Sequence, residues 1–182
     1  MKLSNVKKLV YTAVCTALCL VLPLLFHSVP NAGAIFSPMH IPVLLCGLAC
    51  GWPWGAVCGL LGPLVASISG MPPLAKVPNM AMECATYGLV AGLMMKYVRT
   101  KFTVADLYIS IITAMAMGRV VNGLAKTFIF APGTPPFAWV TTSLITGIPG
   151  IVMQLIVVPV VVLALTRAKL IPQRYPKQIE NA

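Results

Sequence analysis

Charged and amide side chains within long apolar stretches are the residues best suited to chemistry in this sequence. Glu83 and Arg119 both lie in such stretches, and a charged group inside a bilayer costs at least ~2.5–3.5 kcal/mol on insertion scales. Arg119, Asn122 and Lys126 follow one another at i, i+3 and i+7, which places them on one helical face. These residues predict a buried polar site that makes charge-assisted hydrogen bonds.

Helical rise gives Glu83 and Arg119 nearly the same depth. At ~1.5 Å per residue, Glu83 lies roughly 7–8 Å from the outer end of its span, and Arg119 about 22 Å from the inner side of a ~30 Å core. The two side chains can therefore pair. Lys76 and Asn79 precede Glu83 on the same outer side. With Lys126, three cations then face one anion, which favours an anionic group on a small solute.

A structural interpretation of the same residues stays open. Lys76 and Lys126 could extend to the outer surface while Glu83 and Arg119 form an ion pair that only stabilises the fold. His40, at the mouth of the second apolar run, could contact the solute, although a single interfacial histidine is commonly structural.

Five further residues are weaker candidates for the site. His27 ends the first apolar run, Trp139, Phe137 and Tyr87 could stack on a ring, and Gln154 lies deeper in the last run. Aromatic side chains near a membrane interface are usually anchors.

Catalytic motifs do not accompany these residues. The stretch 118–123 begins like a phosphate-binding loop, but Lys126 and Thr127 come two residues late and no strand precedes it. Of the three acidic residues in the chain, Asp106 and Glu180 are expected at the cytoplasmic surface, which leaves no carboxylate pair. We predict neither an enzyme nor a bound cofactor or metal.

Composition points to a membrane. The chain of 182 residues is 59% hydrophobic and 9% charged, with a formal charge of +10, whereas soluble domains carry about 25% charged residues. The length fits one domain, 1–182. Cytoplasmic anchors explain the basic excess without nucleic acid. Six cysteines lie in apolar stretches, which is typical of reduced core residues rather than of disulfides or zinc ligands.

The apolar runs predict an all-α protein with six transmembrane helices. The predicted spans are 9–26, 39–51, 55–69, 78–96, 104–130 and 138–166. The second and third are shorter than the ~20 residues of a straight crossing. They are either two helices or a re-entrant pair, and the interfacial pair Trp52 and Trp54 favours two helices.

Local signals refine the last two spans. Thr103 and Asp106 have the spacing of a capping box, which predicts the start of the fifth helix there. Pro149 and Pro159 are expected to bend the sixth helix. Basic residues cluster before the first span, after the fourth and after the sixth, which places both termini in the cytoplasm.

Short motifs give the chain a family resemblance. Small residues four apart let helices approach closely, and Ala13-Val-Cys-Thr-Ala17 is such a motif on the cytoplasmic half of the first span. Together with Ser-Pro-Met-His-Ile-Pro at 37–42 and Gly-Met-Pro-Pro at 70–73, the chain resembles the substrate-binding S components of energy-coupling factor (ECF) vitamin transporters over nearly its whole length.

The resemblance implies specific partners. It implies a cell-membrane protein that binds a small vitamin and joins a transmembrane coupling subunit and two cytoplasmic ATPases, with Ala13 and Ala17 at the coupling contact. It also implies that the loop 27–38 gates an outward-facing site and that toppling of the S component carries the solute across. The positive surplus favours pantothenate, with folate, niacin or another vitamin close behind.

Two other classes of protein remain as alternatives. A secondary transporter or channel acting alone is disfavoured by the small size, the lack of a visible internal repeat and a single buried carboxylate for ion coupling. A membrane enzyme is disfavoured by the lack of a catalytic constellation.

Overall fold

The regular elements of the protein are helical. The computed structural model describes residues 3–25, 35–70, 72–130, 141–142 and 145–175. In these ranges the α-helices are α1 (Asn5–Leu25), α2 (His40–Cys50), α3 (Trp52–Ala66), α4 (Val77–Tyr97), α5 (Thr103–Ala125) and α6 (Ile148–Arg167). Short 3₁₀-helices at Ser67–Ser69 and Leu74–Lys76 join α3 to α4, and a π-helical segment, Lys126–Phe130, continues α5. The predicted all-α class is confirmed.

Four of the described segments are long and apolar enough to cross a membrane. They are Asn5–Leu25, Trp52–Ser69, Thr103–Ile129 and Ile148–Arg167. Helix α2 has 11 residues, which at 1.5 Å each is about 16 Å and too short for a straight crossing. Helix α4 has 21 residues but carries several polar side chains. A helical membrane protein is therefore supported, and six crossings stay a prediction.

Helix α2 forms the centre of the bundle. All of its residues except Ala49 are buried, and it packs against α1, α3, α4 and α6. A helix that is apolar all round needs such surroundings. Gly51, with φ of 96°, connects α2 directly to α3, because glycine tolerates this positive φ without a Cβ clash. The second and third apolar runs thus form two helices joined at Gly51, and their crossing of the membrane, rather than re-entry, stays a prediction.

Glycines allow α2, α3 and α4 to touch backbone to backbone. A Cβ on Gly88 would overlap the backbone of Gly55, and one on Gly47 would overlap that of Gly88. A Cβ on Gly92 would meet the backbone of Trp52. Small residues four apart, here Gly55 with Gly59 and Gly88 with Gly92, thus let these helices approach closely.

The six cysteines belong to the same interior. All are free thiols, and all are buried except Cys15, which is partly exposed. This agrees with the prediction of reduced core residues.

The predicted capping box at the start of α5 is wrong. Phe102 is the N-cap, and no side chain caps the helix. Asp106, in the first turn of α5, is fully buried, and its Oδ1 accepts hydrogen bonds from Thr100 N at 2.8 Å and Thr100 Oγ1 at 2.7 Å. Its Oδ2 lies 2.6 Å from Arg174 Nε. Arg174, 68 positions further along the chain, covers this carboxylate. No local sequence pattern could predict that contact.

Residues 168–175, which we call the C-terminal strap, fold back over the ends of three helices. Arg174 also donates to the carbonyls of Met95 and Val98 at the end of α4. The Tyr11 hydroxyl of α1 donates to the strap carbonyl of Leu170 at 2.8 Å. The strap therefore connects α1, α4 and α5.

The predicted sixth span is interrupted near its start. Residues 145–146 are helical, Gly147 is in a turn, and α6 begins at Ile148, so Pro149 lies in the first turn of α6, where its missing N–H costs nothing. The interruption falls beside Pro149, where the bend was expected. Pro159 is inside the helix. The stretches 131–140 and 143–144, which include part of the predicted sixth span, lie outside the described residues.

Candidate functional site

A chain of buried hydrogen bonds joins α4 to α5. Asn79 Nδ2 donates to Asn122 Oδ1 at 2.9 Å, and Asn122 Nδ2 donates to Glu83 Oε2. The three residues are only 6–8% exposed. Asn79 and Glu83 are four residues apart, so they share the face of α4 that meets α5. Asn122 thus uses both ends of its amide to connect two positions on α4.

Close packing next to these bonds sets the register of the two helices. The Tyr87 ring lies over Gly118, where a Cβ would come within 2.7 Å of Tyr87 Cε2. Tyr87 is 1% exposed. This contact turns the face of α5 that carries Arg119 and Asn122 toward α4.

His40, at the start of α2, completes the cluster from a third helix. Its Nε2 lies 3.7 Å from Glu83 Oε1, and its ring packs edge-on against Tyr87 with centroids 4.7 Å apart. Its Nδ1 lies 3.2 Å from the Ser37 carbonyl. The ring therefore connects the Glu83 carboxylate to the segment that precedes α2.

The two cations of α5 lie on the same face as Asn122. Arg119 is 7% exposed, and Arg119 and Glu83 both act electrostatically on Tyr87. Lys126 is partly buried at the start of the π-helical segment, with Glu83 within electrostatic range of its ammonium. The described contacts of Glu83 are with His40 and Asn122, and its expected ion pair with Arg119 stays a prediction.

Gln154 is placed more centrally than its sequence position suggested. It is fully buried on α6, and its Nε2 donates to the Ser37 carbonyl at 3.5 Å. Its Oε1 has no hydrogen-bond partner among the described residues. The sequence singled out Gln154 because it is a lone glutamine in an apolar run. Only the packing of α6 on α2 showed that its side chain contacts the segment before α2.

Some candidate residues do not join this cluster. Lys76 is exposed at the 3₁₀-helix before α4. His27, Phe137, Trp139 and most of the loop 27–38 lie outside the described residues. Within the described ranges, no three histidine, cysteine or acidic side chains are arranged to hold a metal ion.

Ala13 and Ala17 lie apart from the polar cluster, on the opposite side of α1 from its packing face. Helix α1 buries Thr12, Cys19 and Pro23, whereas Ala13 and Ala17 are exposed. The small-residue motif therefore belongs to a free surface of the described bundle and not to its interior.

Fold and site together define a helical membrane protein with a small buried polar cluster and no catalytic arrangement in its described part. The chain belongs to the family of ECF transporter substrate-specific components, whose pattern matches residues 7–162. No curated protein matches the chain significantly. It is therefore a substrate-binding membrane subunit of an ECF transporter. Such S components are parts of a transporter, not enzymes, and they work with a membrane T component and ATPases.

Proposed function

We propose that this subunit binds a small anionic vitamin, with pantothenate as the leading candidate. The observation that carries the proposal is the buried cluster of Asn79, Glu83, Asn122 and His40, with Arg119 on the same face. Buried polar and charged groups are expensive in a membrane, so their concentration at one place favours a functional role.

The charged residues of the cluster favour an anionic group on the solute. Glu83 is the one acidic residue in the cluster, while Arg119 and Lys126 are both cationic. An arginine fork can bind a carboxylate through two parallel hydrogen bonds. Amide groups from Asn79 and Asn122 add donors and acceptors suited to hydroxyl or amide groups of the same solute.

The solute is identified most directly by mass spectrometry of what co-purifies with the subunit. We expect a small carboxylate, and pantothenate should bind the solute-free subunit in calorimetry. A bound neutral or cationic solute would contradict the anion assignment.

Substitution of the two cations tests where the anion binds. Arg119→Ala and Lys126→Ala should each weaken pantothenate binding by roughly 1.5–3 kcal/mol, because each removes a charge-assisted hydrogen bond. Lys101→Ala, an exposed lysine at the opposite end of α5, is the matched control and should leave affinity unchanged. Unchanged affinity in both test variants would disprove the placement.

The cellular setting follows from the same proposal. We place the subunit in the plasma membrane of a prokaryote, with both termini cytoplasmic and with Ala13 and Ala17 at the contact to the coupling subunit. The exposure of both alanines supports that contact. Uptake in vesicles by the subunit alone, without ATP, would contradict the proposal and favour an independent transporter.

A further inference from the structure

Two buried amide oxygens in the described part of the chain accept no hydrogen bond. They are Gln154 Oε1 on α6 and Asn79 Oδ1 on α4. Gln154 is 0% exposed and Asn79 is 8% exposed, so both side chains are largely removed from solvent. Buried polar atoms without a partner are rare in folded proteins, because each one loses its hydrogen bonds to water without replacement. Both oxygens are therefore suited to accept a hydrogen bond from a molecule that enters the site.

The surroundings of α6 fix the orientation of the Gln154 amide. A Cβ on Gly150 would come within 2.8 Å of the carbonyl oxygens of Ile35 and Phe36, so α6 touches the backbone of this segment. Gln154 lies one turn further along the same face, and its Nε2 donates to the Ser37 carbonyl at 3.5 Å. A carbonyl oxygen only accepts hydrogen bonds, so the reverse orientation of the amide would bring two acceptors together. Oε1 is therefore the end of the amide that remains open.

The hydrogen bonds between α4 and α5 leave the same kind of atom open at Asn79. Asn122 Nδ2 donates to Glu83 Oε2, so the other end of that amide, Oδ1, accepts from Asn79 Nδ2 at 2.9 Å. An ionised carboxylate cannot donate, which fixes the direction of both bonds. Asn79 thus turns its donor end toward Asn122, and its Oδ1 remains open.

Contacts of His40 connect the two open ends. Its Nδ1 lies 3.2 Å from the Ser37 carbonyl, which Gln154 also approaches, and its Nε2 lies 3.7 Å from Glu83 Oε1. One set of polar contacts therefore runs from α6 through the start of α2 to α4 and α5. The two open oxygens end this set, which makes them parts of one site rather than two isolated positions.

We propose that Gln154 and Asn79 determine specificity by accepting hydrogen bonds from neutral donor groups of the solute, either hydroxyl or amide N–H. The inference rests on the proposed function and narrows the solute to a small anion that also carries at least one such donor. Arg119 and Lys126 bind the anionic group, whereas the two amide oxygens disfavour a solute that would leave them buried and unpaired. Pantothenate fits this class, because it carries hydroxyl groups and an amide N–H besides its carboxylate.

Calorimetry with analogues of pantothenate tests the inference on the native subunit. Dideoxy-pantothenate lacks both hydroxyls, and the ester analogue has oxygen in place of the amide N–H, while both keep the carboxylate. We expect at least one analogue to bind about tenfold or more weakly than pantothenate, since a hydrogen bond to a buried acceptor is worth about that factor. Equal affinity for all three would overturn the inference and indicate that ordered water satisfies the two oxygens.

Variants of the two residues show whether these oxygens are the acceptors. Gln154→Leu and Asn79→Leu should each weaken pantothenate binding. The variant that lacks the accepting oxygen should bind pantothenate and the weaker analogue within about twofold of each other, because such non-additivity isolates the contact between protein and solute. An unchanged tenfold preference in both variants would overturn the assignment. Gln173→Leu, at an exposed glutamine of the strap, is the matched control and should keep both affinities.

Failure of the proposed function gives a different result. If the native subunit does not bind pantothenate, that solute is wrong, and the small molecule that mass spectrometry identifies in the purified subunit decides the inference. A solute without a hydroxyl or N–H donor would overturn it, whereas an anion other than pantothenate that carries such a donor would support it. The comparison of analogues uses the native protein, so it does not depend on how a variant folds.

Discussion

Two buried carboxylates in this protein have different surroundings. Asp106 accepts hydrogen bonds from both the backbone and the hydroxyl of Thr100, and it is paired with Arg174 and Tyr175. Glu83 has an amide and an imidazole as its described partners. A carboxylate with every lone pair used by fixed donors has a structural role. Glu83 has fewer such donors among its described partners, which fits the role in solute binding proposed for its cluster.

The pair between Asp106 and Arg174 should be a large stabilising feature. Asp106→Asn leaves the buried part of Arg174 without its counter-charge, which costs about 3–5 kcal/mol. We expect the apparent melting temperature in detergent to fall by roughly 6–20 °C. Glu180→Gln, outside the described residues, removes the same charge as a control.

A double variant checks that the effect comes from the pair. Asp106→Asn with Arg174→Met should destabilise the protein by less than the sum of the single changes, because each single change leaves the other partner uncompensated. Simple additivity would mean that the two residues act independently. Pantothenate affinity should stay unchanged throughout, since neither residue belongs to the polar cluster.

At the scale of elements, the short central helix α2 brings the site together. It carries His40 at one end and glycine contacts to α3 and α4 at the other. Because α2 is surrounded by other helices, its 11 residues need not match the thickness of a membrane. The two longer helices α4 and α5 then supply the remaining polar groups.

The glycine contact between α3 and α4 is sensitive to any added side chain. Gly88→Ala places a methyl group against the backbone of Gly55, and overpacking of this kind costs about 1–3 kcal/mol. Thermal stability should fall accordingly. Ala116→Val, on the exposed face of α5, is the comparison. Equal stability of the two variants would show that the helices can move apart freely.

The exposed face of α1 should matter for coupling but not for solute binding. Ala13→Glu or Ala17→Glu places a long charged side chain on this surface, whereas close packing against another helix requires small, apolar side chains. We expect loss of ATP-dependent uptake and of co-purification with the coupling subunit, at unchanged solute affinity. Val21→Leu, another exposed position of α1, should have little effect. Lost solute binding in the alanine variants would indicate a role in packing instead.

For the whole molecule, the distribution of charge predicts one orientation. Reporter fusions at the two ends should show both in the cytoplasm: a fluorescent protein should fold there, and alkaline phosphatase should be inactive. Active phosphatase at either end would contradict the predicted topology, because it would place that end outside the cytoplasm. Lys101, in the segment between α4 and α5, should be inaccessible to an external amine reagent in intact cells.

Composition and apolar runs alone determined the helical class and the membrane setting, because a bilayer excludes charge from any exposed span. Spacing also predicted that Arg119, Asn122 and Lys126 share a face, since helical geometry is local. The motif at Ala13 and Ala17 pointed to the family.

Only the tertiary structure decided which groups meet across helices. Depth along the helices predicted that Glu83 could pair with Arg119, which stays a prediction, while the contacts of Glu83 with His40 and Asn122 came from the packing of the helices. Asp106 was expected at the cytoplasmic surface, and only the structure showed that the C-terminal strap covers its side chain. The reason is physical: depth along a helix follows from counting residues, whereas rotation about its axis and the return of a distant segment depend on the packing of the whole bundle.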